Sequence, residues 1–218
     1  MSPTDHATPS PPWRLRGSQQ PKDITLIAKD EVYRGFFSLK RYQLQHRLFQ
    51  GGVSRPLMRE CLDRGNAVAL LLYDPHQDAV VLIEQFRVGA LAAAGGAWLI
   101  EIIAGVLDEE RDCEAVARRE SMEEAGCVVG RIAFICDYLV SPGGTSESIS
   151  LYCGEVDSRQ AGGFFGLDAE GEDIHAFVVP FQRAWEWLEA GEINSASPII
   201  ALQWLQINRQ RLRQLWSA

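Results

Sequence analysis

Between residues 24 and 49 apolar and polar positions begin to alternate. Tyr42, Leu44, His46 and Leu48 interleave with Arg41, Gln43, Gln45 and Arg47, the period of a strand with one apolar and one cationic face. Gly51-Gly52 interrupts the pattern. Two apolar runs, 67–73 and 79–86, flank Asp74-Pro75-His76-Gln77-Asp78, and that turn chemistry predicts a hairpin. Residues 112–125 read as a helix, with Asp112 as N-cap, Gly126 as the stop, and Val116, Ala117, Ser121 and Ala125 as an inner stripe of small residues. Strand-like segments return at 132–140, 149–156 and 176–179. Two helices are predicted at the end of the chain, one over 181–190 stopped by Gly191, the other opening at Ser197-Pro198 with serine as cap and proline as first helical residue. There is no internal repeat or heptad. Strands followed by isolated helices imply an α/β fold, a mixed sheet covered by a few helices, with the basic N-terminal strands as an appendage.

Composition narrows the picture. With 218 residues, 46% of them apolar and 23% charged, global disorder, collagen-like and disulfide-scaffold classes are excluded. A chain this long buries roughly 70% of its unfolded surface, so an inferred metal would serve chemistry, not folding. Pro3, Pro9, Pro11, Pro12 and Pro21 lie among Ser, Thr and Gln, and a flexible tail over 1–21 is expected; Trp13 is the one residue that argues the other way. The net charge of −8 is uneven: residues 1–60 carry ten Lys/Arg against five Asp/Glu, leaving −13 for the remainder. The acidic remainder argues against a nucleic-acid binder. Five cysteines without a CxxC pair, and four scattered histidines, indicate neither a disulfide framework nor zinc and fit a reducing cytoplasm. The uncharged stretch 88–100 is broken by Gly95-Gly96 and closed by Glu101, short of spanning length. Neither an export signal nor a membrane span is expected.

The chemistry concentrates in the helix over 112–125. Glu120, Glu123 and Glu124 stand at i, i+3 and i+4, so about 100° per residue brings all three to one face. Like charges at these spacings repel, and anions near a helix C-terminus oppose its dipole, each by a few tenths of a kcal/mol or more. The plain alternative is a solvated acidic face. Against it, Arg119 precedes Glu123 by four residues, and a glycine loop, Ala104-Gly105-Val106-Leu107, runs into the helix. Carboxylates that converge without Cys or His suit a hard cation, Mg²⁺ or Mn²⁺.

The segment from Gly105 to Cys127 resembles the Nudix box, G-x5-E-x7-R-E-U-x-E-E-x-G-U with U aliphatic, through Gly105, Arg119, Glu120, Glu123, Glu124 and Gly126. Resemblance to the ADP-ribose pyrophosphatase branch extends through Tyr33-Arg-Gly-Phe-Phe37, Val81-Leu-Ile-Glu-Gln-Phe-Arg87, Ser141-Pro-Gly-Gly-Thr-Ser-Glu147 and Ala201-Leu-Gln-Trp-Leu205. Pro142 also falls close to where that branch places a proline. Three positions depart from the box: Arg111 stands where its first glutamate belongs, and Ser121 and Cys127 occupy aliphatic positions. In the family that first glutamate commonly pairs with the box arginine, so Glu110 becomes a candidate partner for Arg119.

The resemblance implies a Nudix α/β/α sandwich with a mixed sheet over residues 63–218 and an N-terminal antiparallel strand subdomain over 22–62 that serves dimerisation. It implies hydrolysis of the diphosphate of ADP-ribose to AMP and ribose 5-phosphate. Two or three Mg²⁺ ions would sit among Glu120, Glu124, the Ala104 carbonyl and substrate oxygens. Arg119 and Glu123 join them as catalytic candidates. The loop 161–173, with three glycines before Asp168, Glu170, Glu172 and Asp173, either is an acidic surface loop or delivers a general base. By the resemblance Glu170 is that base, with Glu172 as a further metal ligand or substitute base. Arg59 and Arg87 are the implied phosphate or adenine contacts, and Phe36 or Phe37 the stacking group; solvated arginines and packed phenylalanines are the plain alternatives. The implied partners are a nucleoside diphosphate sugar and a second copy of the chain. Rival readings are another ADP-sugar or a dinucleotide as substrate, a non-catalytic ADP-ribose sensor, which Arg111 motivates, and a structural protein whose acidic helix is an interface.

Overall fold

A computed structural model describes residues 23–107, 112–167 and 171–216. The expected tail over 1–21, the residues Glu110 and Arg111, and the proposed base Glu170 lie outside the described residues. The chain divides into two compact units, one up to Leu62 and one from Asp63 onward.

The N-terminal unit is a three-stranded sheet in the order β1 (Ile24–Arg34), β2 (Ser38–His46), β3 (Leu57–Asp63). β1 and β2 run antiparallel from Ile24 opposite His46 to Arg34 opposite Ser38, with irregularities after Leu26 and Glu31. Burial does not follow the alternation. Leu39, Tyr42 and Leu44 are half-buried, but so are Lys40, Gln43 and Gln45, while Ile24, Leu26, Ile27, Val32 and Tyr33 of β1 are exposed. A three-stranded sheet without a helix has nothing within its own unit against which to bury a face.

In the second unit the described residues form an eight-stranded sheet. Its main path is β10 (Gly163–Phe165), β11 (Ile174–Pro180), β5 (Ala79–Phe86), β4 (Asn66–Asp74), β9 (Ser148–Glu155), β8 (Ile132–Leu139). β4 pairs parallel with β9; the pairings of β10 with β11, β11 with β5, β4 with β5, and β8 with β9 are antiparallel. The continuous apolar runs of β4 and β5 arise because both faces are covered. Ala69, Leu71, Tyr73, Val80 and Leu82 pack with α2 (Phe181–Ala190) and α3 (Ala196–Trp216) through Phe181, Ala184, Ala201, Leu202 and Leu205. Val68, Leu70, Leu72, Val81 and Ile83 pack with α1 (Cys113–Ala125) through Val116, Ala117 and Ala125. This is an α/β/α sandwich around a mixed sheet.

β4 and β5 pair directly only near their turn, from Leu72 opposite Val81 to Asp74 opposite Ala79. Beyond it they part. β6 (Trp98–Glu101) then pairs with β5, and β7 (Ile103–Leu107) with β4, joined through Ile102. This wedge corrects one expectation: Ala104-Gly105-Val106-Leu107 is not a glycine loop but part of β7. A second correction concerns α3, which begins at Ala196. Ser197 lies inside its first turn, and its hydroxyl is 2.6 Å from the Tyr138 hydroxyl, so it does not serve as the cap.

The turn between β4 and β5 is locked by Asp74, 2% exposed. Its carboxylate accepts hydrogen bonds from the N–H groups of His76, Gln77 and Ser158 and from the Ser158 hydroxyl, at 2.7–3.0 Å. Burial alone would raise its pKa; the donors outweigh burial and hold the carboxyl below its usual range. Asp74→Ala is expected to cost about 3 kcal/mol by orphaning these donors. Because the folded pKa is lowered, the carboxylate's contribution is complete above the unfolded pKa of about 4 and fades as pH falls through the folded value. Urea unfolding of both proteins at neutral and acid pH checks it, since their stability difference should shrink toward acid.

Candidate active site

Helix α1 is capped as its sequence predicts. The Asp112 carboxylate accepts from the N–H groups of Glu114 and Ala115, and Gly126, at φ 63°, takes the left-handed conformation that ends the helix. Its buried residues are Val116, Ala117, Ser121, Glu124 and Ala125. A carboxylate therefore shares the face that packs on the sheet. Ser121 suits the position of an aliphatic residue because its hydroxyl donates to the Cys127 carbonyl at 2.9 Å across the helix end.

β7 receives two of the glutamates. The Ala104 N–H donates to Glu124 Oε2 at 3.0 Å. Gly105 leaves room for Glu120: a Cβ there would stand 2.2 Å from Glu120 Oε1. The glycine is required by the close approach of the carboxylate to a bare strand backbone. Arg119, half-exposed, lies 2.8 Å from Glu120 and 2.7 Å from Glu123, so it finds its carboxylates within α1.

The electrostatics are those of anions short of cations. Burial pushes Glu120 up to about 7; Arg119 opposes this, and Glu123 and Glu172 add to it. Burial pushes Glu124 up to about 8 against the Ala104 hydrogen bond, with Glu120 and Glu172 adding repulsion and Arg87 relieving some. Glu172, half-buried after β10, is thus felt by both, while its Oε2 accepts from the Leu167 N–H at 3.3 Å. Arg87 is held by Glu101 at 2.7 Å, and Gln85 donates to the same oxygen at 3.1 Å.

The second unit therefore assembles Ala104, Arg119, Glu120, Glu123, Glu124, Glu172 and Arg87. Arg59, Phe36 and Phe37 belong to the N-terminal unit. There the Arg59 guanidinium donates to the Met58 carbonyl at 2.8 Å, and Phe36, 97% exposed, meets Phe37 edge-on at 4.9 Å. Glu101 is a further member that the sequence marked only as the end of an uncharged run. A signal exists in the period of two between Gln85 and Arg87, which puts both side chains on one side of the extended chain at the end of β5, but the partner strand is hidden in a Gly- and Ala-rich stretch. Among the described residues no group of three or more His, Cys, Asp or Glu side chains stands together as a metal site. The donor chemistry still fits a hard divalent cation: a buried and a half-buried carboxylate, both raised chiefly by burial and further by neighbouring carboxylates, all-oxygen ligands, and a glycine cradle that a Cβ would fill.

The profile of the NUDIX domain matches residues 63–204. The ADP-ribose pyrophosphatase of Escherichia coli (strain K12) is 47% identical over 195 residues, covering 89% of this chain and 93% of that protein. That of Haemophilus influenzae is 43% identical over 211 residues, covering 94% and 97%. A GDP-mannose pyrophosphatase of Enterobacter sp. (strain 638) is 36% identical over 185 residues, covering 84% and 95%. A crystal structure of an ADP compounds hydrolase shares the fold, with a TM-score of 0.66 at 20% identity over 91% of this chain and 98% of that one. A box helix whose Glu120 meets a bare strand glycine, and relatives aligned over most of the chain, lead to one assignment: the chain belongs to the Nudix family.

Proposed function

We propose that the protein is a divalent-metal-dependent pyrophosphatase that hydrolyses ADP-ribose to AMP and ribose 5-phosphate. The observation that carries this reading is the 43–47% identity to ADP-ribose pyrophosphatases, which covers 89–94% of the chain and so extends beyond the Nudix domain itself. Glu120, Glu124 and the Ala104 carbonyl would hold Mg²⁺ or Mn²⁺, with Glu172 as a further ligand. The chemistry such a cation supplies is charge neutralisation on the diphosphate and acidification of the attacking water. Arg119 holds Glu120 and Glu123 in place, and Glu170 would take the proton from water. Arg87, held by Glu101, offers a cation to the diphosphate; Arg59 and Phe36 or Phe37 would contribute phosphate and base contacts.

The test is AMP release with Mg²⁺ present, comparing ADP-ribose with other ADP-sugars, NADH and GDP-mannose. A kcat/KM for ADP-ribose at least tenfold above the others supports the reading. The GDP-mannose pyrophosphatase relative at 36% identity supports a second reading, a different nucleotide sugar, which a preference for GDP-mannose would favour. ADP-ribose binding without AMP release would mark a sensor.

We further propose a homodimer built through the N-terminal strands and active in the cytoplasm. The exposed apolar residues of β1 and the +5 charge of residues 1–60 support the dimer; five free cysteines support the compartment. No described helix is long and apolar enough to cross a membrane. Light scattering is expected to give twice the chain mass of 24.3 kDa, and a fully active monomer would contradict the dimer.

A further inference from the structure

We propose that Phe165 is a positioning residue whose ring joins the neck of the acidic loop, and with it Glu172, to the C-terminal end of the carboxylate helix. Phe165 ends β10, pairs with the fully buried Ile174 of β11, and packs against the α1 side of the core. Its ring fills space left by two glycines on different elements. A Cβ on Gly126 would stand 2.9 and 3.0 Å from ring carbons, and one on Gly163 would stand 3.3 Å away. Gly126 follows Glu124 by two residues, so the ring rests directly on the end of the turn that carries the buried carboxylate.

On its other side Gly166 and Leu167 lie against Glu172. Gly166 has φ 105°, and a Cβ there would lie 2.8 Å from the Glu172 Cβ and 2.9 Å from its carbonyl oxygen. The neck closes with two hydrogen bonds, from the Leu167 N–H to Glu172 Oε2 and from the Glu172 N–H to the Leu167 carbonyl, both 3.3 Å. From Gly126 to the Glu172 backbone the chain of links is the Phe165 ring, the Gly166 contact and the Glu172 N–H bond to the Leu167 carbonyl, and the Glu172 carboxylate is itself tied back to the Leu167 N–H. Sliding of the ring on Gly126 therefore shifts Glu172 relative to Glu120 and Glu124, whose charges already feel it. The neighbouring Phe164 shows that β10 does not simply bury its aromatics: it is 81% exposed and stacks on His175.

As far as kinetics is concerned the inference rests on the ADP-ribose reading. Its test compares Phe165→Ala and Phe165→Met with the unmodified full chain, measuring kcat and KM for ADP-ribose at saturating Mg²⁺ and amide hydrogen exchange across the chain. Misplacement of a catalytic group by about 1 Å costs up to about a hundredfold. Phe165→Ala is expected to lower kcat tenfold to a hundredfold, leave KM within about twofold, and speed exchange at Leu167 and Glu172 while α1 stays protected. Phe165→Met, which refills the gap on Gly126, should restore most of the rate. If the Ala variant melts below the assay temperature, Phe165→Leu, which lacks the ring's reach, takes its place with the same expectations. An unchanged kcat, or a loss of rate matched by loss of protection in α1, would overturn the proposal. Absence of AMP release from the unmodified protein would defeat the substrate reading instead, and exchange at Leu167 and Glu172 would still decide whether the joint exists.

Discussion

Replacing Glu124 by glutamine is expected to abolish metal-dependent turnover and leave the metal-free protein at least as stable as before. Glu124 is 3% exposed and its Oε2 accepts from the Ala104 N–H at 3.0 Å; the amide oxygen of glutamine can accept the same bond. What disappears is a carboxyl whose ionisation is opposed by burial and by the nearby Glu120 and Glu172, so the fold should gain on the order of 1 kcal/mol. A cation's stabilisation of transition-state charge is worth several kcal/mol, and losing a ligand should lower kcat by about a thousandfold. Turnover and thermal melts with and without Mg²⁺ read both halves. Near-normal activity at saturating Mg²⁺ would remove Glu124 from the metal site. Glu123→Gln provides the contrast: its carboxylate is bound to Arg119 at 2.7 Å on a half-exposed face, and about 0.5 kcal/mol of stability is the expected loss.

The second large effect is expected at Glu170. Glu170→Gln should lower kcat by roughly two orders of magnitude or more with little change in KM, since a general base acts mainly in the transition state. Glu172 is the competing candidate, two residues away. In the structure its Oε2 receives the Leu167 N–H and its charge raises the pKa values of Glu120 and Glu124, a placement that suits a ligand or an anchor better than a base. Kinetics of Glu170→Gln, Glu172→Gln and the double variant under identical Mg²⁺ separate these roles. A silent Glu170→Gln beside an impaired Glu172→Gln would exchange them. An active double variant would place the base elsewhere, with Glu123 as the next candidate.

Much of this was legible locally. Asp112, the small-residue stripe and Gly126 delimit α1 because caps and stops act within a turn, and the i, i+3, i+4 spacing of Glu120, Glu123 and Glu124 places them on one face whatever the tertiary surroundings. The turn 74–78 announces its hairpin for the same reason. Ser121, by contrast, departs from the box pattern in sequence, and only the hydrogen bond to the Cys127 carbonyl explains how a hydroxyl serves there.

The sequence by itself determined the helices, the hairpin, the acidic face and the kinship with the Nudix box, since each depends on residues close together in the chain. Tertiary structure alone decided that Ala104 and Gly105 are strand and not loop, because β7 exists only where β4 and β5 part and leave a gap for it. It also decided that Glu124 is buried against β7 and Glu120 over Gly105, and that Glu101 holds Arg87. Burial is a relation between segments distant in sequence, and it is burial, outweighing the hydrogen bonds from Ala104 and Arg119, that turns a row of glutamates into carboxylates with pKa values pushed up to about 7 and about 8.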